Sequence, residues 1–194
     1  RHALLAFIPN SLSLINLLFG LISIFCFFQQ FIYLGCALIL TGTILDALDG
    51  KMARMLGVNS KLGASLDSKA DIVTFGWAPS FLIFFILYRL DVDYVWILAL
   101  SLALFYFFCV YFRLKRFAKK GGSKDYFEGV PAPAGAGMVV FSSTLSILNP
   151  LVVFVPVVLL AGFLMISLFP YPHNRLAKHK LFFPQLRAIS LLLW

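Results

Sequence analysis

The chain is 194 residues long and 61% hydrophobic, with a formal net charge of +8 and a mean hydropathy of +0.95. Ordinary soluble domains are about 45–50% apolar, which excludes a soluble globular protein. The apolar runs recur along the whole chain, which also excludes a protein held by one signal peptide or one anchor, so the positive charge is read as a topology signal and a contact with lipid headgroups before it is read as a nucleic-acid surface.

Six spans are predicted in chain order. The first is Leu12–Phe28, opened by "IPNSLS", where Pro9 with Asn10 or Ser11 marks a helix start. The second is Phe31–Leu56, the third Ser65–Tyr88 and the fourth Tyr94–Phe117. Ala118–Gly129, "AKKGGSKDYFEG", reads as a flexible loop in which Gly and charge replace apolar residues. The fifth span is Ala134–Leu148 and the sixth Leu151–Phe169. The final apolar piece, "LRAISLLLW", is too short to span a bilayer and can be the start of a seventh helix. The chain opens on Arg1 rather than Met, which points to a native N-terminus further upstream. These readings define an all-α polytopic membrane protein with a six-transmembrane-helix core, treated as one membrane domain over residues 1–194.

Charge sets the orientation. Of the 16 basic residues, only Arg89 falls outside the clusters around the second-to-third connection, around the fourth-to-fifth connection, after span six and at Arg1. The positive-inside rule makes the clustered side cytoplasmic, with the N-terminus inside. In a prokaryote the membrane would be the cell membrane. Cys26, Cys36 and Cys109 sit in apolar runs without CxxC spacing and read as small buried side chains. The histidines form no zinc pattern. The 22 Phe and seven Tyr read as lipid-facing helix surface rather than as a cofactor pocket.

Acidic residues are scarce and clustered. Of eight in the chain, four are Asp46, Asp49, Asp67 and Asp71, within "DALDGKMARMLGVNSKLGASLDSKAD". A span of 26 residues rises about 39 Å against a hydrocarbon thickness of about 30 Å, so the second helix should emerge at the cytoplasmic headgroups. Asp46 and Asp49 are three apart and share a face, as do Asp67 and Asp71, four apart. Antiparallel pairing of the two helices would bring all four together near the membrane surface. An ionised Asp in a membrane helix costs roughly 2.5–3.5 kcal/mol even on the lenient insertion scale, so the cluster needs a counter-charge. Ion pairs with Lys51, Arg54 and Lys69 are one source, and a proton or cation relay is another. Carboxylates around one or two Mg²⁺ or Mn²⁺ fit better, because hard divalent cations take oxygen ligands. Gly50, Ala53, Gly57, Gly63 and Ala64 leave room for a ligand to approach the backbone. Arg54, one turn past Asp49, could hold a phosphate through bidentate hydrogen bonds. Together these residues suggest phosphoryl chemistry on a lipid diphosphate.

Two further groups lie outside the stretch. Asn16, a polar residue inside span one, reads either as a nucleotide or phosphate contact or as a helix–helix hydrogen bond. Arg113 and Arg116, three apart at the cytoplasmic end of span four, share a face. They read as topology charges.

The pattern Asp46-x2-Asp49-Gly50-x2-Ala53-Arg54-x8-Gly63-x3-Asp67-x3-Asp71 resembles the signature of the CDP-alcohol phosphatidyltransferase family. "LDSKADIVTFGWAPS", "RLKRF", "FEGVPAPAGAG" and "MISLFPYP" resemble, in the same order, stretches of its serine-using members. Ala118, where such proteins usually carry Asn or another small residue, and the short C-terminus are departures. The resemblance implies a transferase that joins the phosphatidyl group of CDP-diacylglycerol to L-serine and releases CMP. It implies a divalent-metal cofactor, Mg²⁺ or Mn²⁺ and two ions, held by Asp46, Asp49, Asp67 and Asp71. It makes Asp71 the general base as well, although spacing favours none of the four. Gly50, Ala53, Arg54 and Gly63 would line the nucleotide pocket, and Arg113 and Arg116 would meet the serine carboxylate. Membrane lipids and a second copy, as a homodimer, are the implied partners, with no nucleic acid. Glycerol 3-phosphate or an inositol phosphate as acceptor is the alternative, and such acceptors call for a larger basic pocket. A cation transporter is the alternative from another class, but spans four to six lack the acidic residues it would need.

Overall fold

Apolar length decides the architecture. A computed structural model describes residues 2–56, 61–90, 92–120, 126–145, 149–167 and 170–172. Helix α1 is His2–Phe28 and α2 is Ile32–Leu56. Helix α3, Lys61–Asp71, runs through a π-helical turn, Ile72–Trp77, into α4, Ala78–Tyr88. Then come α5, Val95–Lys120, and α6, Ala132–Leu145. A second π turn, Pro150–Phe154, leads into α7, Val155–Ile166. Two three-residue strands, β1 (Tyr126–Glu128) and β2 (Pro170–Pro172), pair antiparallel.

Among the described residues, four stretches are long and apolar enough to cross a membrane: Asn10–Phe28, Ile32–Met52, Gly63–Tyr88 and Val95–Ala118. The expected fifth and sixth spans are shorter apolar helices, Ala132–Leu145 and Pro150–Ile166. A 14-residue helix rises only about 21 Å, which is why α6 lacks the length of the others. Two expectations are corrected. Pro9 does not begin the first helix, because α1 already runs from His2. The fixed φ of proline suits a helix, and the cost is one missing amide donor and crowding against the carbonyl one turn back. The stretch 118–129 is not all loop, since α5 continues to Lys120 and β1 occupies Tyr126–Glu128. The terminal "LRAISLLLW" lies outside the described residues.

Turn chemistry makes α1 and α2 antiparallel. Gln30 has φ +65°. The amide of Phe31 donates to the Cys26 carbonyl at 2.8 Å, and that of Gln30 to the Phe27 carbonyl at 3.1 Å. This is the Schellman pattern, here with Gln where Gly is usual. Ser23 Oγ donates to the Gly35 carbonyl at 2.9 Å and pins the returning helix. The core between helices is filled by fully buried Phe27, Phe75, Leu82, Leu87, Tyr106, Phe154 and Met165. Leu18, Phe25, Ile44, Trp96, Phe112 and Phe163 point outward, as a helix surface does when its solvent is lipid.

This chain path brings the start of α1, the end of α2, the start of α3 and the end of α5 to one end of the bundle. The Gln29–Gln30 turn and the turn after Tyr88 lie at the opposite end. Lys51, Lys69, Arg113, Lys115 and Arg116 fall at the first end, and Arg89 at the other.

Candidate active site at one end of the bundle

Each half of the aspartate stretch sits on its own helix. One turn of α2 presents Asp46 and Asp49, and one turn of α3 presents Asp67 and Asp71. Carboxylate oxygens of Asp46, Asp49 and Asp67 all lie within 4.8 Å of one another. Asp71 adjoins the group, close enough to Asp46 and Asp67 for their carboxyls to act on one another. Carboxyls this close need a proton or a cation between them. The four aspartates that the spacing placed on two faces therefore do meet.

The cluster has a support that the sequence reading did not include. Ser13 Oγ donates to Asp49 Oδ2 at 2.7 Å, and both residues are buried. A signal existed, because Ser13 is three residues from Asn16 and so shares its face of α1. Asn16 lies one turn deeper and is fully buried. Its carbonyl accepts from Thr74 Oγ1 at 2.9 Å. A Cβ on Gly42 would come within 2.7 Å of both Asn16 Oδ1 and the Thr74 methyl, so only glycine lets α2 pass this close. Thr74 belongs to the π turn that directly follows Asp71. Such turns are frequent at functional sites.

Several polar atoms here await a partner. Asp67 Oδ1, Asp71 Oδ1 and both amide atoms of Asn16 are buried without a hydrogen bond. Orphaned carboxylate oxygens beside an all-oxygen donor set fit a hard divalent cation. Asp46, Asp49 and Asp67 are the residues that could hold it. Beside Asp49, a Cβ on Gly50 would meet nothing within 4 Å, so open space adjoins the cluster. Gly63 is half-buried near the start of α3. Ala53 and Arg54 lie on the last turns of α2, and their side chains lie outside the described part of the structure. Lys51 and Lys69, the candidate ion-pair partners, are exposed.

The arginine pair is divided. Arg113 is half-buried, its guanidinium lies over the Phe117 ring at 5.7 Å to the centroid, and the charges of Asp71 and Asp46 act on it at longer range. Arg116 points to α7 instead, where its guanidinium donates to the carbonyls of Ile166, Met165 and Ser167 at 3.1, 3.3 and 3.4 Å. The shared helical face is real, but the neighbour differs from one turn to the next.

A carboxylate cluster, an arginine near it and adjoining open space lie together at one end of a membrane bundle. The family model described as CDP-alcohol phosphatidyltransferase matches residues 6–169, and the chain belongs to that family. Among its relatives, the CDP-diacylglycerol–serine O-phosphatidyltransferase of Bacillus subtilis is 36% identical over 169 residues, which are 86% of this chain and 90% of that protein. The protein of the same name in Methanocaldococcus jannaschii is 35% identical over 168 residues, 85% of this chain and 73% of that protein. The one in Mycobacterium leprae is 35% identical over 148 residues. Those are 72% of this chain but only 47% of that longer protein.

Proposed function

We propose that this chain transfers the phosphatidyl group of CDP-diacylglycerol to the hydroxyl of L-serine, giving phosphatidylserine and CMP in phospholipid biosynthesis. The observation that supports the reading is a half-buried Arg113 at the same end of the bundle as the aspartate cluster, close enough for Asp71 and Asp46 to act on its charge. On this reading Arg113 is the cation for the serine carboxylate, and the neighbouring Asp71 carboxylate takes the hydroxyl proton. The serine oxygen attacks the lipid-linked phosphorus, the bond from that phosphorus to the CMP oxygen breaks, and the proton passes to Asp71. A general base must lie within reach of the proton it removes, and the orphaned Oδ1 of Asp71 is such an acceptor.

Asp46, Asp49, Asp67 and Asp71 would hold the divalent ions, Mg²⁺ or Mn²⁺. Bound there, two such ions would offset the charge of the diphosphate and of the attacking and leaving oxygens. Ser13 keeps Asp49 oriented by its 2.7 Å hydrogen bond. Gly50, Ala53, Arg54 and Gly63 line the nucleotide side, and the unpartnered amide of Asn16 belongs to the same pocket. Among the described residues, Arg113 is the cation near the cluster, and Arg116 is engaged by carbonyls. That arrangement suits one carboxylate better than the larger charge of a phosphorylated acceptor. The names of the relatives support the same substrate pair.

The clustering of basic residues at the site end supports a cytoplasmic orientation for that end. The shorter α6 and α7 complete a six-helix membrane domain, working as a homodimer in the cell membrane of a prokaryote. The test is CMP release from CDP-diacylglycerol by the purified protein, with L-serine, glycerol 3-phosphate and an inositol phosphate supplied separately. Serine alone should drive release. Release with another acceptor and none with serine would remove the serine assignment.

A further inference from the structure

The proposed chemistry uses Arg113 and leaves open why a second guanidinium, one turn along α5, is held so firmly. The carbonyls that Arg116 engages belong to Met165, Ile166 and Ser167 at the end of α7. A helix end leaves such carbonyls without intrahelical partners and carries the negative pole of the dipole. A second element reaches the same place. The amide of Val130 donates to the Leu164 carbonyl at 3.1 Å. Gly129, at φ +76°, packs so closely that a Cβ would lie 2.5 Å from the Met165 carbonyl oxygen and 3.0 Å from that of Ser167. Any other residue would be strained there on both counts. A third tie follows within a few residues. The chain entering Gly129 and the chain leaving α7 pair as β1 and β2, with Phe127 opposite Tyr171 and Glu128 opposite Pro170.

Side chain, turn and strand pair thus converge on one helix end beside the site. Arg116 is also in electrostatic contact with Arg113. Two guanidinium groups on adjacent turns repel, so where Arg116 is fixed decides where Arg113 can rest. With Arg116 drawn to the α7 carbonyls, Arg113 stays over the Phe117 ring and within the field of the carboxylates.

We propose that Arg116, Gly129 and the β1–β2 pair form a clasp on the acceptor side of the site, in which Arg116 and Gly129 are positioning residues that set acceptor affinity by keeping Arg113 near Asp71. The inference rests on the reading of Arg113 as the acceptor contact. A clasp that only stabilised the fold would act on both substrates alike.

The test is steady-state CMP release by the purified full chain, with serine and CDP-diacylglycerol varied in turn, for Arg116→Lys, Arg116→Gln and Gly129→Ala. The serine KM should rise about tenfold in Arg116→Gln and Gly129→Ala, the loss expected for charge-assisted bonds to the helix end. The CDP-diacylglycerol KM should stay at its wild-type value. Arg116→Lys keeps the charge at the α7 terminus and should recover part of the serine affinity. It is also the mildest change, so the outcome is judged on it if the other two melt below the wild type. Equal rises in both KM values, or an unchanged serine KM in a variant that melts with the wild type, overturn the clasp. If another acceptor drives release in the wild type, the serine reading fails, and the clasp is judged by the same KM comparison with that acceptor.

Discussion

The two halves of the site end treat their polar groups in opposite ways. On the α2–α3 half, buried acceptors stand without partners: Asp67 Oδ1 and Asp71 Oδ1, with Asn16 beneath them. On the α5–α7 half, Arg116 is met by three carbonyls and the amide of Val130 by a fourth. Leaving a buried acceptor unpaired costs about 1–3 kcal/mol each. A protein keeps such a cost where a ligand relieves it and avoids it where the task is to hold a shape. On the proposed function, the unsatisfied half would receive the substrate diphosphate and its counter-ions, and the satisfied half would be the frame against which the acceptor is placed.

The comparison is broken most directly by removing what the open half awaits. Treatment with a chelator should abolish CMP release, and Mg²⁺ or Mn²⁺ should restore it; release that persists in chelator would mean that the cluster works without a cation. Asp71→Asn should lower kcat by about 10²–10⁴-fold, the usual worth of a general base, while CDP-diacylglycerol binding stays largely intact. Turnover near the wild-type value would take the base role from Asp71. Arg113→Gln should raise the serine KM by about 10–100-fold, the span expected for a lost charge-assisted contact, and an unchanged KM would move the carboxylate site elsewhere. Ser13→Ala should reduce kcat by about tenfold or less, since it loosens Asp49 without removing it. The smallest effect separates two uses of one amide. Asn16→Ala should weaken CDP-diacylglycerol binding without lowering the melting temperature; a lower melting temperature with unchanged binding would make Asn16 a helix–helix contact.

Much of the site was legible because helical periodicity translates spacing directly into shared faces. Asp46 with Asp49, and Asp67 with Asp71, needed only the pitch of a helix and an antiparallel neighbour. The membrane character of the chain was legible from composition, and the boundaries of α2 and the start of α5 from where apolar residues begin and stop. What escaped depends on contacts between helices distant in sequence. Nothing in "RLKRF" says that Arg113 lies near the carboxylates while Arg116 faces the end of α7, 49 to 51 residues later. Ser13 was passed over because one hydroxyl in an apolar helix is commonplace. The start of α1 was misplaced because Pro9 reads as a beginning, although an apolar segment with good helix formers precedes it.

The π turn at Ile72–Trp77 has a consequence for how the third long helix can change. Such a turn accommodates one residue more than an α-helix would need, and in an α-helix one residue is about 100° of rotation. The aspartate-bearing portion before it and the Phe-rich portion after it are thus indexed separately, like two dials on one shaft. Deleting a single residue between Ile72 and Trp77 would leave both portions helical yet turn one against the other. Either the carboxylates would swing away from α2 or Leu82 and Leu87 would swing out of the core. The length of that short segment is therefore under tighter constraint than the identity of most side chains within it.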